Sequence, residues 1–316
     1  MSLLSRPSVL VSDDGVDHTS IRPNSASKSE SGWTGRALNG LQSEIFSRCA
    51  NPNCRTGWLR LLRHRTTPVF EGGWCCSAGC TAAQVEVALS RELDARGGGC
   101  EVHRHRIPLG LAMMEQGWIT PAELRSALAA QKAAGAGKLG HWLMRQGSAS
   151  EEQVTRALGL QWSCPVLAME FTTSEGLTAL VPRLFIDAFG ALPLRVAAGK
   201  LLYLGFEDRP DASLALAVGH ITGLRVESGL VAESQFRPAQ ERLLKARFPS
   251  VELIEAATGI ALTTALTRAI ENAQPVEARL ARVHDCIWLR LWLRKQHGSA
   301  PDPGSIRDVI ASASIH

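Results

Sequence analysis

Five of the eight cysteines in this 316-residue chain fall between Cys49 and Cys80. They run Cys49-x4-Cys54, then Trp74-Cys75-Cys76-Ser77-Ala78-Gly79-Cys80. Thiolates are soft ligands, and zinc takes four of them in a tetrahedron, supplied by paired turns separated by a loop of hairpin length. Cys49, Cys54, Cys76 and Cys80 are therefore the expected metal ligands, with Cys75 competing with Cys76 for the third place. Buried free thiols are the alternative, but so dense a run of cysteines stands far above background. A segment this small has too little core to fold unaided, so the zinc is expected to be structural. Cys100, His103 and His105 offer a second half-site, but they sit in a linker and a solvated role is favoured.

The elements that must position these thiols are short. The aromatic-x-Cys-Ser-x-x-Cys run opening a helix resembles the second half of treble-clef zinc fingers. The helix itself is expected along TAAQVEVALSRELDA, ending at the Gly97-Gly98-Gly99 linker. Arg55, Arg60, Arg63, His64 and Arg65, with Trp58 among them, form a basic patch beside the cysteines. Such patches on zinc fingers sometimes bind nucleic acid, but no groove-reading helix is evident and a solvated face is favoured.

A second constellation repeats. PLGLAMMEQGWITPAELRSALAAQ (108–131) aligns with KLGHWLMRQGSASEEQVTRALGLQ (138–161), matching Leu109 with Leu139, Gly110 with Gly140, Gly117 with Gly147, Leu128 with Leu158 and Gln131 with Gln161. Gly117 and Gly147 can take the left-handed conformation that stops a helix. Thr120-Pro-Ala-Glu123 and Ser150-Glu-Glu-Gln153 are capping boxes that restart one, and Pro121 suits a first helical position. Two helix-turn-helix units are expected.

The tandem repeat resembles the N-terminal domain of type II secretion and type IV pilus assembly ATPases, of the MshEN or GspE-N type. The unit that follows, with Pro182, Leu192-Pro-Leu-Arg195 and Glu207-Asp208-Arg-Pro-Asp211, is similar to that family's second N-terminal subdomain. Some members bind cyclic di-GMP through the two repeats. Carried over, that resemblance implies contacts from Leu109, Gly110, Leu124, Leu128 and Gln131 in the first copy. In the second it implies Lys138, Leu139, Gly140, Val154, Leu158 and Gln161. The chemistry is intelligible: glycine lets backbone N–H groups approach a ligand, helix starts favour phosphate, and leucines floor the site. Two positions depart from the pattern. Pro108 replaces the leading arginine of copy one, removing a cation and a backbone donor. Lys138 replaces it in copy two, keeping the charge without the bidentate fork.

The whole reads as an α+β chain. A disordered tail is expected over residues 1–38, a small zinc-binding domain with its following helix over 39–98, and a helical tandem-repeat subdomain over 104–165. A small α+β subdomain with a hairpin at 192–206 is expected over 166–248, C-terminal helices over 250–298 and a frayed tail over 299–316. Ile287, Trp288, Leu291 and Trp292 share a helical stripe near Arg290, Arg294 and Lys295, read as packing on the preceding domain in preference to docking a partner helix or membrane. At 45% hydrophobic, 20% charged and net +4, the chain is ordinary for a globular protein. It lacks the roughly 18 consecutive apolar residues of a membrane span and a secretory signal, so cytoplasm is the expected compartment. The phosphate loop G-x-x-x-x-G-K-[ST] is absent, and so are G-x-S-x-G and H-E-x-x-H. The residues after Phe248 are too few for an ATP-binding core. The expectation is a non-enzymatic adaptor docking a protein of a secretion, pilus or motility apparatus, touching membrane only indirectly. A cyclic di-GMP receptor is the alternative, and a zinc-dependent nucleic-acid-binding protein the weaker one.

Overall fold

A computed structural model of the chain describes residues 48–55, 65–94, 106–169, 176–295 and 301–312. The expected tail over 1–38 and the half-site at Cys100, His103 and His105 lie outside them. Among the described residues no helix is long and apolar enough to cross a membrane.

The cysteine-rich segment contains a hairpin, β1 (Val69–Phe70) and β2 (Gly73–Trp74), and a helix, α1 (Ala78–Asp94). Positive φ at both Glu71 (50°) and Gly72 (74°) gives the turn the twist a two-residue connection demands. Ser77 starts α1, its hydroxyl accepting from the Cys80 N–H at 3.3 Å.

The repeats form α2 (Leu109–Glu115), α3 (Pro121–Ala134), α4 (Leu139–Arg145) and α5 (Glu151–Trp162). Both capping boxes are made. The Thr120 and Ser150 hydroxyls accept from the N–H groups of Glu123 and Gln153, whose side chains accept from the cap N–H groups in return. Met113, Ile119, Ala127, Leu143, Val154 and Ala157 make the core of this unit.

A three-stranded unit follows: α6 (Arg183–Phe189), β3 (Ala191–Ala197), β4 (Leu201–Phe206), α7 (Ala212–Thr222), β5 (Arg225–Leu230) and α8 (Glu233–Leu244). β3 and β4 are the antiparallel hairpin read from the sequence, and α7, capped by Asp211, crosses over to place β5 parallel to β4.

The C-terminal region departs from expectation. Among its described residues the one α-helix is α9 (Gly259–Ala273); β6 (Ser250–Glu255), β7 (Glu277–Val283), β8 (Cys286–Trp292) and β9 (Ile306–Ser312) form a sheet of order β6-β9-β8-β7. The residues expected to make a second C-terminal helix are a hairpin turning at His284–Asp285. The tail expected to fray is an inner strand, parallel to β6 and antiparallel to β8. The physical reason is that this sheet is covered on both faces. Ile287, Leu289 and Leu291 face one core with Phe70, Val85, Leu89, Leu262, Leu266 and Ile270. Trp288 faces another, shared with Phe185, Leu214 and Phe236. A strand buried on both sides is apolar at nearly every position, and CIWLRLW matches helical spacing as readily as strand.

The sheet thus sits between two cores, and it also holds the cysteine-rich segment. Val69 and Glu71 donate their N–H groups to Pro275 O (3.1 Å) and Ala278 O (2.8 Å), laying β1 along β7. Arg290, read only as a neighbour of the apolar stripe, is 1% exposed and grips Asp308, which is 0% exposed, through Nε–Oδ1 (2.7 Å) and Nη2–Oδ2 (2.8 Å). Its Nη1 donates to Ala179 O and Leu180 O, and Trp288 Nε1 donates to the same aspartate at 2.8 Å. A buried charge needs this degree of satisfaction, because an unpaired one costs several kcal/mol, about 3–5 when a partner is removed.

Candidate metal centre and ligand cavity

Cys49 and Cys54 reach the hairpin and helix start through a short irregular loop. Ala50 N–H donates to Trp74 O at 2.8 Å, and Cys54 N–H donates to Asn51 O at 3.1 Å. Gly73 permits this approach: a Cβ there would stand 2.5 Å from the Ala50 Cβ. The Sγ atoms of Cys49, Cys54, Cys76 and Cys80 all lie within 4.8 Å of one another. Cys54–Cys76 is 3.5 Å and Cys76–Cys80 is 3.7 Å. A ZnS4 tetrahedron with bonds of about 2.3 Å has edges of about 3.8 Å, so the set can hold a metal ion. Asn51 Nδ2 donates to Cys80 Sγ at 3.5 Å, the type of outer bond that fixes a thiolate's direction.

Cys75 is buried beside Cys76 and Cys80 but is not one of the four converging thiols. Burial pushes its thiol up to about 11, against a lowering hydrogen bond with Thr81 and the Arg65 charge. Burial likewise pushes Cys49 up to about 12. A metal binding there must displace a proton, so affinity weakens as the pH is lowered. The site is anchored to α9. Thr81 Oγ1 donates to Glu271 Oε1 and Arg65 Nη2 to Glu271 Oε2, both at 2.6 Å. Arg65 is therefore tied to the fold and is not part of an open basic face. Of the other patch residues, Arg55 is exposed, while Trp58, Arg60, Arg63 and His64 lie outside the described residues.

The carried-over repeat residues divide. Leu109, Lys138, Leu139, Gly140, Val154 and Leu158 line one cavity of about 100 Å³, together with Glu151, Glu207, Asp208 and Glu233. Leu128 and Gln131 line a separate open depression with Gly135 and Gly137, where Gln131 Nε2 donates to Gly137 O at 2.7 Å. Gly110, Leu124 and Gln161 line neither. Both helix-start glycines are explained by packing. A Cβ at Gly110 would meet Leu124 Cδ1 at 2.6 Å, and one at Gly140 would meet Val154 Cγ1 at 2.6 Å.

The acidic wall escaped sequence reasoning. Lys138 is ion-paired with Asp208, Glu207 with Arg237 at 2.9 Å, and Glu151 accepts from Ser234 N–H (2.8 Å) and Oγ (2.6 Å). The only sequence signal was the charged loop Glu207-Asp208, whose partner lies 70 residues away. Arg106 stacks on Trp162, its Cζ 3.6 Å from the ring centroid.

No protein-family model matches the chain, and no curated protein matches it. Among solved structures, one of MshE with cdg is 26% identical over 44% of this chain and 99% of its own, at a TM-score of 0.36. Two structures of the N-terminal domain of XpsE are 22% and 21% identical, each over 42% of this chain, covering 92% and 90% of their own, at TM-scores of 0.29 and 0.25.

Proposed function

We propose that the chain is a non-enzymatic adaptor, stapled by a structural zinc ion, that docks a component of a secretion, pilus or motility apparatus. The residue-level resemblance of the tandem repeat to secretion and pilus ATPase N-terminal domains supports the apparatus. The observation that carries docking over small-ligand binding is the state of Lys138. It is the cation of the second copy, and it is neutralised by Asp208 inside a wall of four carboxylates. The cavity is also smaller than the several hundred Å³ usual for ligand sites. On the outside of the same repeats Leu111 and Leu128 stand 49% and 44% exposed, as a partner surface requires. Zinc fits the four thiolates better than a hard cation would, since calcium and magnesium take oxygen ligands.

The test is co-purification of an apparatus component with the tagged full-length chain, lost in Leu111→Asp/Leu128→Asp. Recovery of no such component from cells assembling the apparatus would overturn the proposal. The second reading, a cyclic di-GMP receptor, is favoured by one observation: six of the carried-over residues do share a cavity. Calorimetric titration of the full chain with cyclic di-GMP decides it. Saturable binding weakened by Lys138→Ala supports the receptor, and absence of heat removes it.

A further inference from the structure

Three cations in and beside the repeats are paired, Lys138 with Asp208, Arg237 with Glu207 and Arg156 with Glu152, while Arg125, Lys132 and Arg145 are exposed and make no ion pair among the described residues. Arg106 and Arg209 are set apart by converging on one aromatic ring. Both are exposed, and neither makes an ion pair or hydrogen bond among the described residues. Instead both lie over one indole, with Cζ 3.6 Å and 5.7 Å from the Trp162 ring centroid. Stacking orients a guanidinium while leaving its edge N–H groups open to an acceptor. This cluster joins the segment before α2, the end of α5 and the loop after β4. Exposed aliphatic side chains lie on the same stretches of chain: Ile107, next to Arg106, is 52% exposed, Leu160 near the end of α5 55%, and Val166 just after it 44%. Val166 lies against α5, its Cγ2 3.4 Å from where a Gly159 Cβ would be.

We propose that this surface, centred on Trp162, docks an acidic amphipathic helix of the partner protein. The inference rests on the docking function above and adds to Leu111 and Leu128 a second contact patch and the partner's chemistry. Charge complementarity selects the occupant. Two unneutralised guanidiniums call for carboxylates, and the aliphatic side chains beside them call for an apolar face. A small anion alone would satisfy the first and leave the second in water. A helix with leucine at i, i+3, i+4 and i+7 and glutamate elsewhere meets both demands at once.

The experiment uses that helix as a stapled synthetic peptide, a lysine-for-glutamate twin, and inorganic phosphate. Each is titrated into the full-length chain carrying labelled tryptophan, and the Trp162 indole resonance, identified by its loss in Trp162→Phe, is followed. The expected result is a saturable shift with the glutamate peptide alone, weakened about tenfold or more in Arg106→Ala/Arg209→Ala. The reversal Arg106→Glu/Arg209→Glu should transfer binding to the lysine peptide, a gain that misfolding cannot mimic. Equal response to both peptides, no response, or the same saturation by phosphate would overturn the proposal. The two proposals fail separately. A co-purified component that binds the arginine double variant undiminished leaves docking standing and removes this surface. Charge-selective peptide binding with no co-purified component supports the surface and removes the apparatus.

Discussion

The cysteine cluster and the tandem repeat both present a motif, yet the fold treats them in opposite ways. At the cluster, four thiols from a loop and a helix start meet within 4.8 Å, and the competing fifth, Cys75, is buried beside them but outside the set. In the repeat, residues at equivalent motif positions are divided between two depressions, and the one motif lysine is held by a carboxylate from the next unit. A converging set of thiols has little use except a metal. Glycine, leucine and lysine each have a structural use as well, and here the structural use is visible. Gly110 and Gly140 admit Leu124 and Val154, and Lys138 closes an ion pair.

The strongest way to break this contrast is at the metal. Cys76→Ser should take bound zinc from one per chain to none by elemental analysis, while Cys75→Ser keeps it. The opposite pattern would reverse the assignment. Because structural zinc is worth roughly 10 kcal/mol or more in isolated fingers, chelation should also lower the melting temperature markedly. Arg290→Ala comes next, at about 3–5 kcal/mol in urea denaturation, since it strands Asp308 in the core. A cost below about 1 kcal/mol would mean water reaches that carboxylate.

Gly140→Ala should cost about 1–3 kcal/mol from overpacking, and Gly110→Ala less. Val154 is locked at χ1, whereas the terminal methyls of Leu124 can rotate aside. Val154→Ala should relieve the first substitution. Equal effects would show that both interfaces yield alike.

Glu71 provides a pH test of how the cysteine segment is held. Burial alone would raise its pKa, but His220, the Leu280 N–H and Arg91 outweigh it and hold the carboxyl below its ordinary 4.5. A depressed carboxyl contributes stability that is fully present above its unfolded value and is lost as pH falls through the folded one. The wild type should therefore lose stability below about pH 4.5, more steeply than Glu71→Gln in parallel denaturation curves. The smallest effect belongs to Lys138→Ala. Both partners of its ion pair are well exposed, so stability should change by less than about 1 kcal/mol. A larger loss would make that pair a principal clasp between the repeat and the following unit.

Much of the fold was legible for a local reason. The capping boxes at Thr120 and Ser150, the glycine stops at Gly117 and Gly147 and the β3–β4 hairpin each act within a few residues of chain. Of the candidate sites, the metal set was legible because spacing and thiol chemistry converge on it. The acidic wall and the Arg106–Trp162–Arg209 cluster were not, since their members come from separate units and no spacing marks them.

By itself, then, the sequence determined that Cys49, Cys54, Cys80 and one of the adjacent pair Cys75 and Cys76 could share a metal, where the repeat helices start and stop, and that the two copies are equivalent. Tertiary structure alone decided that CIWLRLW is a strand and that residues 306–312 lie inside a sheet. It also decided that Arg290 is a buried ion-pair member and that Lys138 answers to Asp208. The physical reason is the range of the forces involved. Caps and turns are closed by neighbouring backbone groups. Whether an apolar run lies on one covered face or two, and which charge faces which, depends on what distant segments bring against it.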